Sequence, residues 1–197
     1  MSEAIAIRPA RKADASDIAL LINIAAHGGP ADGWARSQDA AGTYSPIEIG
    51  RLQLLREDGA FSWRNAFMAE IDGEVAGMLL GYREPDAAEP IPPRTPDYFR
   101  PLYELEAEAA GKWFISMLGV YVPWRDKGVG SKLLDVAEAK ARETAASGVA
   151  LISEDVNEGA RRLYERRGFV VTAKRPMVPF PSGGPKGQDW LLMAREP

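Results

Sequence analysis

At 197 residues, with 46% hydrophobic and 26% charged side chains, the chain suits one domain with a continuous core and is too ordinary in composition for a disordered or fibrous protein. No run approaches the about eighteen apolar residues of a membrane span, and the start lacks a signal-peptide pattern, so a cytoplasmic protein with no membrane partner is expected. A cysteine count of 0 excludes disulfides, thiol nucleophiles and cysteine-ligated metals, and a net charge of −4 argues against nucleic acid as a partner.

Residues 4–8 alternate weakly and read as a strand. Asp14 to Asp17 then lead into Ile18, Leu20, Leu21, Ile24 and Ala25, the spacing of an amphipathic helix with acids at its positive end. The run from His27 to Trp34 carries three glycines and a proline and is read as a loop. Ser45-Pro46 starts a second helix, because proline suits the first helical position. Residues 66–71 and 75–82 are apolar runs joined by Asp72-Gly73, a strong hairpin signal. Six prolines between Pro85 and Pro101 mark an irregular insertion over about 84–111, ending in a short helix from Leu102 to Ala110. Residues 113–122 are the most strand-like run. A helix over about 128–146, a strand at 149–153, a helix at 158–167 and strands near 169–175 and 189–194 complete the chain. The alternation of these elements describes a mixed sheet covered by helices.

Two segments carry chemistry. In Arg125-Asp126-Lys127-Gly128-Val129-Gly130 a strand-to-helix junction holds two glycines and two cations. A helix N-terminus offers unpaired N–H groups and a positive dipole end, and glycine lets the backbone approach phosphate oxygens closely. The bland alternative is a glycine-rich turn with solvated basic residues. No Gly-Lys-Ser/Thr ending is present, and the first glycine of the dinucleotide pattern is missing. The second segment places Asn157 at a helix start, the position of an N-cap. Ala160, Leu163 and Tyr164 follow on one helix face, so Tyr164 is either core or a phenol aimed at a ligand.

Leu118-Gly-Val120-Tyr-Val122-Pro-Trp-Arg125-Asp-Lys-Gly128-Val-Gly130, followed by Asn157-x-x-Ala160-x-x-Leu163-Tyr164-x-x-x-Gly168-Phe169, resembles the GCN5-related N-acetyltransferase (GNAT) superfamily. The likeness is densest over 113–170, and the order of elements extends it along the chain. It implies one acyl-CoA-binding domain over residues 1–197. It also implies an α+β fold: a central mixed, mostly antiparallel sheet of about seven strands, four or five flanking helices, and a splayed pair of parallel strands at the cofactor site. By resemblance, acetyl-CoA is the cofactor and the backbone from Arg125 through Asp126, Lys127, Gly128, Val129 and Gly130 binds its diphosphate. Leu118, Val120 and Val122 would line the pantetheine arm, Asn157 would join the cofactor site, and Tyr164 would protonate the departing thiolate. Two details depart from the family pattern. Asp126 stands where glycine is common, and Pro123 lies one position late.

The implied reaction is attack by a primary amine, on a small molecule or a peptide, upon the thioester carbonyl, with strand N–H groups near Leu118 to Val120 stabilising the oxyanion. A phenol of ordinary pKa near ~10 is protonated at neutral pH and can donate. No base is singled out. Glu104, Glu106 and Glu108 lie on one helix, with 104 and 108 on one face, and their bland reading is a solvated surface. His27 and Trp34 are weak candidates for the acceptor site, together with Glu104 and Glu108. No set of side chains has metal spacing, so no metal is expected. A non-catalytic coenzyme A sensor or scaffold is the alternative; a nucleotide-dependent oxidoreductase rests on glycine spacing alone. Apolar residues Phe180, Trp190 and Leu191 of the tail, read as exposed, would fit a homodimer, though they could equally complete the last strand.

Overall fold

A computed structural model describes residues 4–37, 42–181 and 183–196. The chain folds into two compact units: Met1–Gly81 with Met117–Leu134, and Tyr82–Ser116 with Asp135–Pro197. Seven strands are hydrogen-bonded in the order β1-β2-β3-β4-β5-β7-β6. They are β1 (Ile5–Pro9), β2 (Ala66–Ile71), β3 (Glu74–Arg83), β4 (Trp113–Val120), β5 (Val149–Glu154), β6 (Val170–Pro176) and β7 (Asp189–Arg195). Pairing is antiparallel at β1–β2, β2–β3, β5–β7 and β6–β7 and parallel at β4–β5. The parallel register runs from Trp113↔Val149 to Ile115↔Leu151, although β4 continues to Val120 and β5 to Glu154.

In the first unit the Asp72-Gly73 turn takes φ of 52° and 83°, the left-handed pair that a type I′ hairpin requires. Helices α1 (Ala15–Ala25), α2 (Gly29–Ala35) and α3 (Pro46–Leu54) pack together. Ile18, Leu21 and Ile22 of α1 and Ile49 and Leu54 of α3 are buried, as are Met68, Met78, Leu79 and Leu80 of the hairpin. Ser45 caps α3 by accepting from Glu48 N–H at 3.2 Å. The segment expected to be a loop after His27 is instead the helix α2. Gly28, at φ 90°, ends the path of α1, and Pro30 sits in the first turn of the new helix, where its missing N–H costs nothing. Close backbone approach sets the glycines here. A Cβ on Gly119 of β4 would lie 2.8 Å from the Leu21 carbonyl oxygen, and one on Gly77 of β3 would lie 2.6 Å from the Gly119 carbonyl oxygen.

In the second unit β5, β7 and β6 carry helix α4 (Arg100–Ala107). Leu105 of α4 joins Phe114, Ala150, Trp190 and Leu192 in one apolar cluster with Tyr98 and Phe180. Phe180, Trp190 and Leu191 are buried, which removes the exposed apolar tail that favoured a dimer. Helix α4 begins two residues earlier than expected, at Arg100, with Pro101 inside its first turn. Helices α5 (Val129–Glu143) and α6 (Glu158–Arg166) bring the α-helices among the described residues to six, against the four or five expected; the addition is α2. Three elements, β3, β4 and α5, run through both units. No helix among the described residues is long and apolar enough to cross a membrane.

Candidate functional site

The segment that follows β4 is built by local rules. The expected strand over 113–122 stops at Val120, because Pro123 turns Val122–Trp124 into a 3-10 turn. Residues 125–128 make an exposed turn, and α5 begins at Val129. Asp126 has φ 60° and Gly128 φ 89°, and backbone that steps through the left-handed region aims successive N–H groups into an anion-binding concavity. Lys132 N–H donates to the Gly128 carbonyl at 3.1 Å, so the N–H groups of Val129 and Gly130 precede the helix ladder and lie at its positive end. Arg125 is exposed, and its Nε donates to the Val120 carbonyl at 3.2 Å. The Lys127 ammonium lies 4.6 Å from the centre of the Trp124 ring. Val122 is 68% exposed, whereas Leu118 and Val120 are half-buried. A helix N-terminus beside two exposed cations is chemistry suited to an anion.

The left-handed φ explains why glycine would suit position 126, and why aspartate, which tolerates that region better than most residues, is accommodated. Its carboxylate nonetheless opposes an anion. Replacing Asp126 by glycine is expected to tighten acetyl-CoA binding about two- to fivefold. That corresponds to the ~1 kcal/mol or less that a unit charge a few ångströms away contributes in water. Isothermal titration of both proteins checks this, and the difference should shrink with added salt.

His27 and Trp34 belong to the same unit as the Arg125–Gly130 turn. His27 is exposed at φ 48°. Trp34 is buried, and a Cβ on Gly50 would lie 2.6 Å from its ring. Trp34 therefore serves as the contact between α2 and α3.

The remaining sequence-derived residues lie in the second unit. Asn157 caps α6, its Oδ1 accepting from Ala160 N–H at 3.3 Å. Tyr164 is buried, with its ring 5.9 Å from that of Phe169. Burial pushes its phenol up to about 12, so it stays protonated at physiological pH. Glu104 and Glu108 are brought together by Arg175 of β6, at 3.1 Å and 2.5 Å. Arg175 thus forms an ion pair with each of the two carboxylates.

Sequence reasoning passed over Glu84, which follows β3. Its N–H donates to the Lys112 carbonyl at 2.9 Å, extending β3 along β4. Burial first, and the neighbouring Glu106 carboxyl second, push its carboxyl up to about 7. Glu106 of α4 accepts from the Tyr82 hydroxyl at 2.7 Å, and burial together with Glu106 raises the Tyr82 phenol well above its ordinary value. Glu84 sits in no motif, so the only signal in the sequence was an acid placed at the end of an apolar strand. No group of three or more His, Asp or Glu among the described residues could hold a metal ion.

The model of the acetyltransferase (GNAT) family matches residues 35–169. No curated protein matches the sequence. Solved structures with the same fold include Ard1 from Thermoplasma volcanium, at 21% identity and TM-score 0.60, covering 98% of this chain and 97% of that one. An N-acetyltransferase from Staphylococcus aureus Mu50 is 15% identical with TM-score 0.62, covering 96% and 100%. Arabidopsis thaliana Naa50, solved in complex with the bisubstrate analogue CoA-Ac-MVNAL, is 16% identical with TM-score 0.60, covering 100% and 99%. Similarity at these identities extends to the fold.

Proposed function

Given that the chain belongs to the acetyltransferase (GNAT) family, we propose that it transfers an acetyl group from acetyl-CoA to a primary amine on a small molecule or a peptide. The observation that carries this reading is the turn from Arg125 to Gly130, with its left-handed Asp126 and Gly128 ahead of the N-terminus of α5. The coenzyme diphosphate would rest on those backbone N–H groups, with Arg125 and Lys127 supplying charge at its rim. Leu118, Val120 and Val122 would flank the pantetheine arm. When bound, the coenzyme presents a thioester carbonyl that an amine attacks.

The protein's part is to hold that carbonyl in reach of the amine, to donate N–H groups to the developing oxyanion, and to return a proton to the leaving sulfur. Tyr164 is the donor in this scheme, since its phenol stays protonated. Family membership, and a neighbour crystallised with a coenzyme A–peptide conjugate, support the reading.

A thermal-shift titration with acetyl-CoA beside NADPH and ATP tests it. At a hundredfold excess over its Kd a native-state ligand adds ~2.7 kcal/mol, which raises the midpoint of a chain this size by roughly 5–10 °C. A selective rise with acetyl-CoA, followed by amine-dependent release of thiol, is the expected result. A rise with NADPH or ATP alone would sink the proposal, and binding without thiol release for any amine would favour a coenzyme A sensor.

A further inference from the structure

We infer that Tyr121, through its bond to Asp17, is the positioning residue that sets the Arg125–Gly130 turn for the coenzyme diphosphate. The inference rests on the transferase reading above, and every residue it uses lies in the first unit. The turn has little of its own to hold it. Pro123 ends the path of β4, Val122–Trp124 is a single 3-10 turn, and residues 125–128 are exposed. The N–H groups of Val129 and Gly130 can meet phosphate oxygens only if this junction keeps one geometry, because a hydrogen bond weakens steeply with distance and angle.

Tyr121 fixes that geometry with three groups. Its N–H donates to the Ala76 carbonyl of β3 at 2.9 Å, and its own carbonyl accepts from Trp124 N–H at 2.9 Å, which opens the 3-10 turn. Its hydroxyl donates to Asp17 Oδ1 of α1 at 2.8 Å, across 104 residues of sequence. Among the described residues, it is the one side chain of 121–128 that hydrogen-bonds to a distant element; Arg125 bonds back to Val120 of the strand just left.

A second contact with α1 agrees with the first. Asp17 and Leu21 stand four residues apart on one face of the helix, and Gly119 and Tyr121 stand two apart on one side of the β4 path. Leu21 closes on Gly119, where a Cβ would lie 2.8 Å from its carbonyl oxygen, and Asp17 closes on Tyr121. The same alternation leaves Leu118, Val120 and Val122 for the opposite side, which the transferase reading gives to the pantetheine arm. Tyr121 therefore acts through the backbone it fixes and not by touching the coenzyme. A carboxylate acceptor makes its bond charge-assisted. Burial first, and the Asp17 hydrogen bond second, raise the phenol above its ordinary value, so the hydroxyl remains the donor.

Coenzyme A carries the diphosphate and pantetheine lacks it, so titrating each by NMR separates positioning of the turn from general loosening of the fold. Tyr121→Phe is expected to raise the Kd for coenzyme A about 5- to 30-fold and that for pantetheine by less than ~2-fold. Asp17→Asn keeps an oxygen for the hydroxyl and should stay within ~3-fold of wild type for coenzyme A. Asp17→Ala should match Tyr121→Phe, and the double variant should be no worse than either, since all three remove one bond. An unchanged Kd for coenzyme A in Tyr121→Phe overturns the inference. So do equal losses for both ligands, additive losses in the double variant, or an Asp17→Asn as poor as Asp17→Ala. Amide hydrogen exchange of the wild type is independent of any variant's folding. Coenzyme A should slow exchange over 121–130 and in the first turns of α1 together, because coupling between linked sites is reciprocal; protection of the turn alone overturns the inference. A wild type that binds no coenzyme A is a different failure, which removes the transferase reading itself and this inference with it.

Discussion

Replacing Tyr164 with phenylalanine is expected to lower kcat by about 10²- to 10⁴-fold while acetyl-CoA still raises the melting midpoint as it does in the wild type. Only the hydroxyl is lost. The ring keeps its place beside Phe169, so the fold should survive the change and the defect should fall on proton return to the leaving sulfur. Steady-state kinetics beside the thermal shift check this. An unchanged kcat would remove Tyr164 from the mechanism, and a lost thermal shift would make it a binding residue instead.

The same substitution has a signature in stability against pH. The phenol is pushed from 10 up to about 12 in the folded state by burial. Both folded and unfolded chains therefore carry it neutral below pH ~10, where the contribution is intact. Between ~10 and about 12 the unfolded chain ionises this tyrosine and the folded chain does not, so stability is lost as pH rises through that window. Urea unfolding of wild type and Tyr164→Phe should diverge there, with the variant losing less. Parallel curves would show that the hydroxyl is already solvated.

The largest stability loss is expected from the paired glycines of the first unit. Gly77→Ala would drive a Cβ to 2.6 Å from the Gly119 carbonyl oxygen, and Gly119→Ala would place one 2.8 Å from the Leu21 carbonyl oxygen. The obstacles are backbone atoms, which cannot rotate away as a flexible side chain can. Each change should cost about 2–4 kcal/mol, at or above the usual penalty for overpacking, and lower the midpoint by roughly 5–15 °C. Because the two contacts share Gly119, the double variant should cost less than the sum. Denaturant melts of the three proteins check both statements. Gly119→Ala should also weaken acetyl-CoA binding, since any displacement of β4 moves the Arg125 anchor on the Val120 carbonyl. A full melting midpoint in either single variant would show that β3, β4 and α1 can separate without loss.

Much of the site and fold is written in short-range chemistry that a sequence displays. Asp72-Gly73 supplies its own left-handed turn, Ser45-Pro46 its own cap and helix start, and Asn157 its own N-cap. The Arg125-to-Gly130 turn likewise needs only its proline, its glycines and the helix it precedes. Such signals are legible because the interacting atoms lie within a few residues, so local order fixes the geometry. The helix α2 escaped for the complementary reason. Its glycines and proline weigh against a helix locally, and burial of Trp34 against Gly50 of α3 decides otherwise.

Through-space partners were decided by the tertiary fold alone. Glu104 and Glu106 of α4 and Glu108 at its C-cap look alike in the sequence, yet Arg175, 71 residues from Glu104, takes Glu104 and Glu108. Glu106 meets Tyr82 from a strand 24 residues earlier. Glu84 gains its character only there, since desolvation and a facing carboxyl are properties of a packed interior rather than of a residue type. The amino-acid order by itself thus determined the family and the glycine-bearing turn from Arg125 to Gly130 ahead of α5. Which carboxylates are paired with a cation, and which one is buried beside another carboxyl, followed from how strands and helices far apart in the chain came to lie side by side.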